Sequence, residues 1–299
     1  MSQVVQEPQY FRPPSEADSL LVQVMKGCPH NKCRFCGIFR DIPFRIIALR
    51  KVLEQLDADA EEFGPELLDK VTSIYLEGGD PLALGAEHLL AIMRHAWSRF
   101  PALQRLACYA TARSVLRKTP DELHQLAQAG LQRVYVGLES GVDEILLANN
   151  KGCSRSDLIL AGKKLLEAGI ENDVSMMLGI GGAELSERHA RETAEVINLI
   201  HPAGVRIATF IPQYSTELGQ DCLDGNFTLM GPHAVIRELR LLIESIDIPV
   251  HILCSHWSNF IQFEAILPLG KQKLLRIIDE ALYLDESQFR LVGITSTKL

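Results

Sequence analysis

The sequence predicts an α/β protein whose parallel strands, joined by helices, build a partial or complete (β/α) barrel. Three observations carry this reading. Apolar strand-like runs alternate with amphipathic helical runs along most of the chain. Six or seven such units follow one another, too many for one half of a dinucleotide-binding fold. The chain has 299 residues and is 47% hydrophobic, enough to bury a large core.

The elements follow in order. Residues 1–18 are polar and proline-bearing, lack the apolar core of a signal peptide, and are expected to be a flexible segment. Strands are expected at Leu20–Met25, Val71–Leu76, Arg105–Tyr109, Arg133–Gly137, Asp173–Leu178, Val205–Ile211 and Val250–Cys254. Between them, Leu89, Ile92, Met93, Ala96 and Trp97 recur at helical spacing. Thr119-Pro120-Asp121-Glu122 combines an N-cap, a proline at the first helical position and a capping glutamate; Gly130 closes that helix. Similar signals frame Ser154 to Gly169 and Ser186 to Ile200. The division expected is a barrel core over 19–218 followed by a C-terminal extension over 219–299 that serves the substrate.

Charge and hydropathy narrow the function. Thirty basic against 38 acidic side chains give a formal charge of −8, which argues against nucleic acid as a partner. No apolar run reaches the length of a membrane span, so a cytoplasmic protein without a membrane partner is expected. In that compartment the seven cysteines are expected to be ligands, reactive groups or buried thiols rather than disulfides.

Three of them crowd together. Immediately after the first strand stands Gly27-Cys28-Pro29-His30-Asn31-Lys32-Cys33-Arg34-Phe35-Cys36-Gly37. Three thiolates from one loop suit three irons of a [4Fe–4S] cluster, leaving the fourth iron open to a non-protein ligand. A structural zinc held by Cys28, Cys33, Cys36 and His30 is the alternative. Zinc modules usually supply two separated pairs of ligands, and no second pair follows.

At this point the sequence resembles the radical S-adenosylmethionine (SAM) superfamily, particularly its branch around oxygen-independent coproporphyrinogen III oxidase. The resemblance covers roughly residues 20 to 218, with a weaker echo to about 275. Phe35 matches the family's aromatic residue before the last cysteine, although the first gap holds four residues rather than three. Glu77-Gly78-Gly79-Asp80-Pro81, after the second strand, resembles the GGE-type motif whose backbone carbonyls receive the SAM amino group. Ala110-Thr111-Ala112-Arg113, after the third, offers Thr111 and Arg113 to the carboxylate or ribose; a surface arginine opening a helix is the other reading. Gly137-Leu138-Glu139-Ser140-Gly141 resembles the G-x-E-S-G segment, with Glu139 and Ser140 toward the amino group or ribose. Leu178-Gly179-Ile180-Gly181-Gly182 resembles the adenine-binding segment through Gly179 and Gly181.

The resemblance implies an enzyme with two cofactors, the [4Fe–4S] cluster and SAM. SAM would be split to methionine and a 5′-deoxyadenosyl radical, which takes hydrogen from a small-molecule substrate. A reducing protein such as a flavodoxin or ferredoxin would supply the electron. A second cysteine cluster and a cobalamin-binding region are not evident in the sequence, which argues against methylthiotransferases and auxiliary clusters. Beyond the core motifs, His251 to Asn259 is dense in functional groups: Cys254 would donate a hydrogen atom and His256 would move protons. The plainer reading of this stretch is a last strand with a buried thiol. A rival function is a tetrapyrrole carrier of the same fold without turnover.

Overall fold

In a computed structural model that describes residues 11–289, the chain folds around one eight-stranded sheet. The strands are β1 (Leu20–Gln23), β2 (Met25–Lys26), β3 (Arg45–Ile46), β4 (Ser73–Glu77) and β5 (Arg105–Ala110). They continue as β6 (Leu131–Glu139), β7 (Glu171–Leu178), β8 (Gly204–Thr209), β9 (Val250–Leu253) and β10 (Glu264–Leu267). The sheet order is β1-β4-β5-β6-β7-β8-β9-β10, parallel throughout except for β10, which runs antiparallel to β9. Among the described residues no ladder joins β1 to β10, so the architecture is partial-barrel-like. β2 and β3 form a separate ribbon.

The helices are α1 (Leu49–Leu68), α2 (Ala86–Arg99), α3 (Ala112–Arg117), α4 (Pro120–Gln128) and α5 (Asp143–Ala148). After these come α6 (Arg155–Glu167), α7 (Gly182–Ile200), α8 (Glu217–Leu223), α9 (Pro232–Ser245) and α10 (Lys271–Ala281). Local chemistry explains several boundaries. Thr119 caps α4 by accepting from the Glu122 N–H, and the Glu122 carboxylate accepts from the Thr119 N–H at 2.7 Å. Ser154 and Asp157 repeat that reciprocal cap on α6. α7 begins at Gly182, four residues before the expected Ser186, because Gly181 and Gly182 turn the chain directly into the helix.

Several elements were not named from sequence, among them α1, which Gly64 breaks near its end and which fills the gap between the first two expected strands, the short β3, and the edge strand β10. The first expected strand is also split: β1 ends at Gln23, and Met25 pairs instead with Ile46. This departure closes the cysteine loop at its base.

One face of the sheet packs on the helices. Val22, Ile74, Leu76, Leu106, Val134 and Val174 point there, and the alternation of a strand sends their neighbours to the other face. α2 meets this layer with Leu89, Ile92 and Met93, each contributing about 1.5–3 kcal/mol on burial. The helix-free face carries Tyr75, Tyr109 and Tyr135, with Tyr109 in edge contact with the other two rings. Residues 1–10 of the expected flexible segment lie outside the described residues. Residues 11–18 pack against the helix-free face, where buried Glu16 accepts from Tyr135 and Ser19 (both 2.5 Å) and from Arg105 (2.9 Å). Burial alone would raise the Glu16 pKa, but these three donors outweigh it and hold it below the usual range. Beyond residue 218, the described residues bring β9 and β10 into the same sheet.

Candidate functional site

The cysteine loop leaves the β2–β3 ribbon at the carboxyl end of β1, the end at which parallel α/β sheets present their chemistry. Its backbone is tied on several sides. The Arg40 guanidinium donates to the carbonyls of Cys33 (2.8 Å) and Cys36 (3.1 Å) and pairs with Glu217 of α8. The Arg34 N–H donates to the Asn149 carbonyl, the Arg34 carbonyl accepts from the Leu218 N–H, and its guanidinium pairs with Asp221. Phe35 is buried with Val142, Ile145, Ile180, Phe210 and Leu218. These residues come from the segments that follow β6, β7 and β8, including α5 and α8, so Phe35 fixes the loop to the rest of the sheet end.

Cys28, Cys33 and Cys36 are free and half-buried. Burial pushes the Cys33 thiol up, opposed by the charge of Lys151. It pushes Cys36 up to about 11, opposed by the Ile38 N–H. Such thiols ionise when a cation arrives to pair with them, which couples metal binding to proton release.

Gly78 and Gly79 are packed against this loop by necessity. Gly79 donates to the Gly27 carbonyl at 3.0 Å, and a Cβ on Gly79 would lie 2.6 Å from both Cα and Cβ of Cys28. Gly78, with φ 144°, would meet Met25 Cγ at 2.1 Å. Asp80 is buried and accepts from the Thr111 hydroxyl at 2.7 Å and the Thr111 N–H at 3.4 Å. Thr111 also caps α3. Asp80 and Thr111 thus lock two neighbouring strand ends together. Arg113 stands exposed on the first turn of α3 and is not drawn into this set.

Glu139 ends β6 at a bulge with φ 61°, and its carboxylate pairs with Lys151 at 3.1 Å. Ser140 is fully buried, its hydroxyl accepting from the Val142 N–H. Gly179, with φ 76°, donates its N–H to Glu238, and Gly181 opens α7. The structure therefore gathers Cys28, Cys33, Cys36, Phe35, Gly78, Gly79, Asp80, Thr111, Glu139, Ser140, Gly179 and Gly181 at the carboxyl ends of the strands.

Three expectations need correction. His30 does not join the thiols: its Nε2 is 2.6 Å from the Asn150 carbonyl, which removes it from a zinc set. Among the described residues no three His, Cys, Asp or Glu side chains are arranged to hold a single metal ion. Cys254 lies in the main core on the helix side of the sheet, fully buried, its thiol pushed up to about 12 by burial, so the hydrogen-donor expectation has no geometric support. His256 bonds Ser258 at 2.7 Å, and Ser258 in turn accepts from the Thr209 N–H, making this stretch a cap on β8.

Sequence reasoning missed Arg40, Lys151, His189 and Glu238. A signal for the last two exists. His189 precedes Thr193, Val196 and Ile200 at helical spacing, and Glu238 follows Val235 by three and precedes Leu242 by four. Both place a charge-bearing group on an apolar stripe, where burial demands a partner.

Three free thiols on one loop, tied by Arg34 and Arg40 and packed against the Gly79 turn, fit a [4Fe–4S] cluster. Fold and site together define a cluster-binding partial barrel of parallel strands. The chain belongs to the radical SAM superfamily: the model of that family matches residues 22–212. Members of this family are enzymes that cleave SAM at an iron–sulfur cluster, and a [4Fe–4S] cluster and SAM are the cofactors that membership brings to this chain.

Solved structures agree on the fold. The radical SAM enzyme coproporphyrinogen III oxidase from Escherichia coli shares 15% identity at a TM-score of 0.54, over 76% of this chain and 51% of its own. The radical SAM methyltransferase TsrM from Kitasatospora setae, with cobalamin and a [4Fe–4S] cluster bound, shares 18% at 0.54, over 69% and 39%. Methylornithine synthase shares 14% at 0.53, over 90% and 84%. The chain thus spans about half the length of the oxidase and less of the methyltransferase. No curated protein matches the chain. Among the described residues no helix is long and apolar enough to cross a membrane.

Proposed function

We propose that this protein uses SAM cleavage to abstract hydrogen from a small-molecule substrate bound on the helix-free face of the sheet, with an electron from a flavodoxin- or ferredoxin-like protein. The observation that carries the reading is the close packing of Gly79 on Cys28, which brings the SAM-binding strand end against the cluster loop.

Cys28, Cys33 and Cys36 would hold three irons. When bound, the cluster supplies the electron that splits the SAM sulfonium into methionine and a 5′-deoxyadenosyl radical. The chain's own residues position and protect. Gly78 and Gly79 offer backbone carbonyls to the SAM amino group, while Asp80 and Thr111 keep that turn registered with β5. Glu139 and Ser140 face the amino group or ribose, and Lys151 holds the Glu139 carboxylate in place. Gly179 and Gly181 present backbone to the adenine.

Half-buried polar groups on the helix-free face, including Gln23, Tyr109, Ser175 and Arg206, suit a small polar substrate. Phe35 and its apolar neighbours exclude water from the other side of the loop. In this reading 19–218 is the radical SAM core, 1–18 a separate N-terminal segment, and 219–299 the substrate-related extension.

The test is anaerobic reconstitution with iron and sulfide, then SAM and dithionite, with 5′-deoxyadenosine assayed by mass spectrometry. Product that disappears in Cys36→Ala supports the reading. A loaded cluster that never cleaves SAM, with or without candidate substrates, refutes it.

A further inference from the structure

Beneath the loops assigned to SAM lies a buried polar network that the family roles above leave unused. Glu238 of α9 is 2% exposed and His189 of α7 is fully buried. Glu238 Oε1 accepts from the Gly179 N–H at 2.8 Å, and Oε2 accepts from the Ser186 hydroxyl at 2.5 Å. His189 Nδ1 lies 3.3 Å from Glu238 Oε1. On the other side of the ring, Nε2 lies 3.2 Å from the Glu139 carbonyl. One turn further along α7, Thr193 Oγ1 accepts from the Gly141 N–H at 2.8 Å. Ser186, His189 and Thr193 share one face of α7 by their spacing of three and four.

His189 Nε2 meets the Glu139 carbonyl, while Nδ1 faces Glu238 Oε1 without the geometry of a hydrogen bond. The buried Glu238 carboxylate has its oxygens taken up by the Gly179 N–H and the Ser186 hydroxyl. A buried polar pair adds little net stability, since apolar residues of the same size often serve as well. What this pair does have is reach. It runs from the backbone of Glu139 after β6 to the backbone of Gly179 after β7, and both of those residues are left-handed. A left-handed non-glycine residue such as Glu139 persists only where its surroundings over-determine it.

We propose that His189 and Glu238 are positioning residues for SAM: together they hold the Glu139–Gly141 and Gly179–Gly181 loops in one fixed relation, so that ribose and adenine meet a single rigid surface. The inference rests on the assignment of those two loops to SAM. It also gives the C-terminal segment, through α9, a part in SAM binding rather than in substrate binding alone.

The experiment compares reconstituted wild type with the double variant His189→Leu/Glu238→Leu, which removes both polar side chains at once and leaves no lone carboxylate in the core. Leu239→Ala, on the same helix and buried in the main core, is the control for lost stability. Iron content, Tm and the change in the EPR signal of the reduced cluster during SAM titration are read for each. The double variant should load iron like wild type and melt no lower than the control, yet bind SAM about tenfold more weakly or worse. The control should melt lower and bind SAM normally.

Wild-type SAM affinity in the loaded double variant overturns the inference, as does a control that weakens SAM binding equally. A wild type whose cluster signal ignores SAM would instead overturn the loop assignment and this inference with it. Should the double variant fail to load, hydrogen exchange on the single variant Glu238→Gln decides. Faster exchange at both Gly141 and Gly179 supports the coupling, and an effect confined to Gly179 defeats it.

Discussion

Lys151 Nζ lies 3.1 Å from Glu139 Oε1, with each side chain only 12% exposed. The pair crosses the backbone of Gly137, where a Cβ would come within 2.4 Å of the carboxylate and 2.6 Å of the ammonium. Removing the lysine leaves a carboxylate stranded in a site with little water. Lys151→Met should cost about 3 kcal/mol in chemical unfolding, whereas the double variant Lys151→Met/Glu139→Gln should recover much of it. A double variant no more stable than the single one would show that the pair is not what holds this corner.

Each of Cys28, Cys33 and Cys36 should be needed for the cluster. Alanine at any one should cut bound iron and sulfide to a small fraction of wild type after anaerobic reconstitution, with loss of the visible charge-transfer absorption. Alanine at Cys153 or Cys222 should leave both unchanged. A full cluster in Cys33→Ala would remove that residue from the ligand set.

Gly79 tolerates no side chain because Cys28 occupies the space a Cβ needs. Gly79→Ala should force the turn and the cysteine loop apart at a cost of about 1–3 kcal/mol and weaken cluster retention. The readout is the rate of iron loss to a chelator, which should rise relative to wild type. An unchanged rate would mean that the two loops are less tightly registered than the packing indicates.

Burial pushes Asp80 up to about 6 from the ordinary 3.8, against hydrogen bonds from Thr111 and Ser114. The folded chain therefore keeps a proton that the unfolded chain releases between about pH 4 and 6. Stability from this group falls as pH rises through that window and is level above it. The full effect is about 3 kcal/mol. Urea unfolding at successive pH values should give wild type a steeper decline than Asp80→Asn between pH 4 and 6. Parallel curves would count against the shifted carboxyl.

Cys254 is a core residue on the helix side of β9. Cys254→Ala should lower stability by about 1 kcal/mol while leaving 5′-deoxyadenosine formation intact. A variant that folds normally but cleaves no SAM would return the thiol to the chemistry.

Much of the site was legible before any coordinates. Cys28, Cys33 and Cys36 sit in one loop, and the glycine motifs each fall at the end of an expected strand. Strands are short-range patterns, and chemistry in parallel sheets collects where strands end, so position along the chain already carried position in space. The capping signals at Thr119 and Ser154 were equally local, and the structure uses both as read.

Other features depend on contacts between distant residues. Which face of β9 holds Cys254 follows from its register with β8, and an alternation read along one strand cannot say which side the helices cover. His30 resembled a ligand by proximity in sequence, yet its ring turned to Asn150, 120 residues away. Lys151, His189 and Glu238 are polar side chains of kinds that ordinarily lie in solvent, and only tertiary packing brings each to its buried partner. The sequence by itself determined the alternating fold, the thiol set and the glycine turns, because each is written in neighbouring residues. Tertiary structure decided the partners of buried charges and the side of the sheet each side chain serves, because those depend on what the rest of the chain packs beside them.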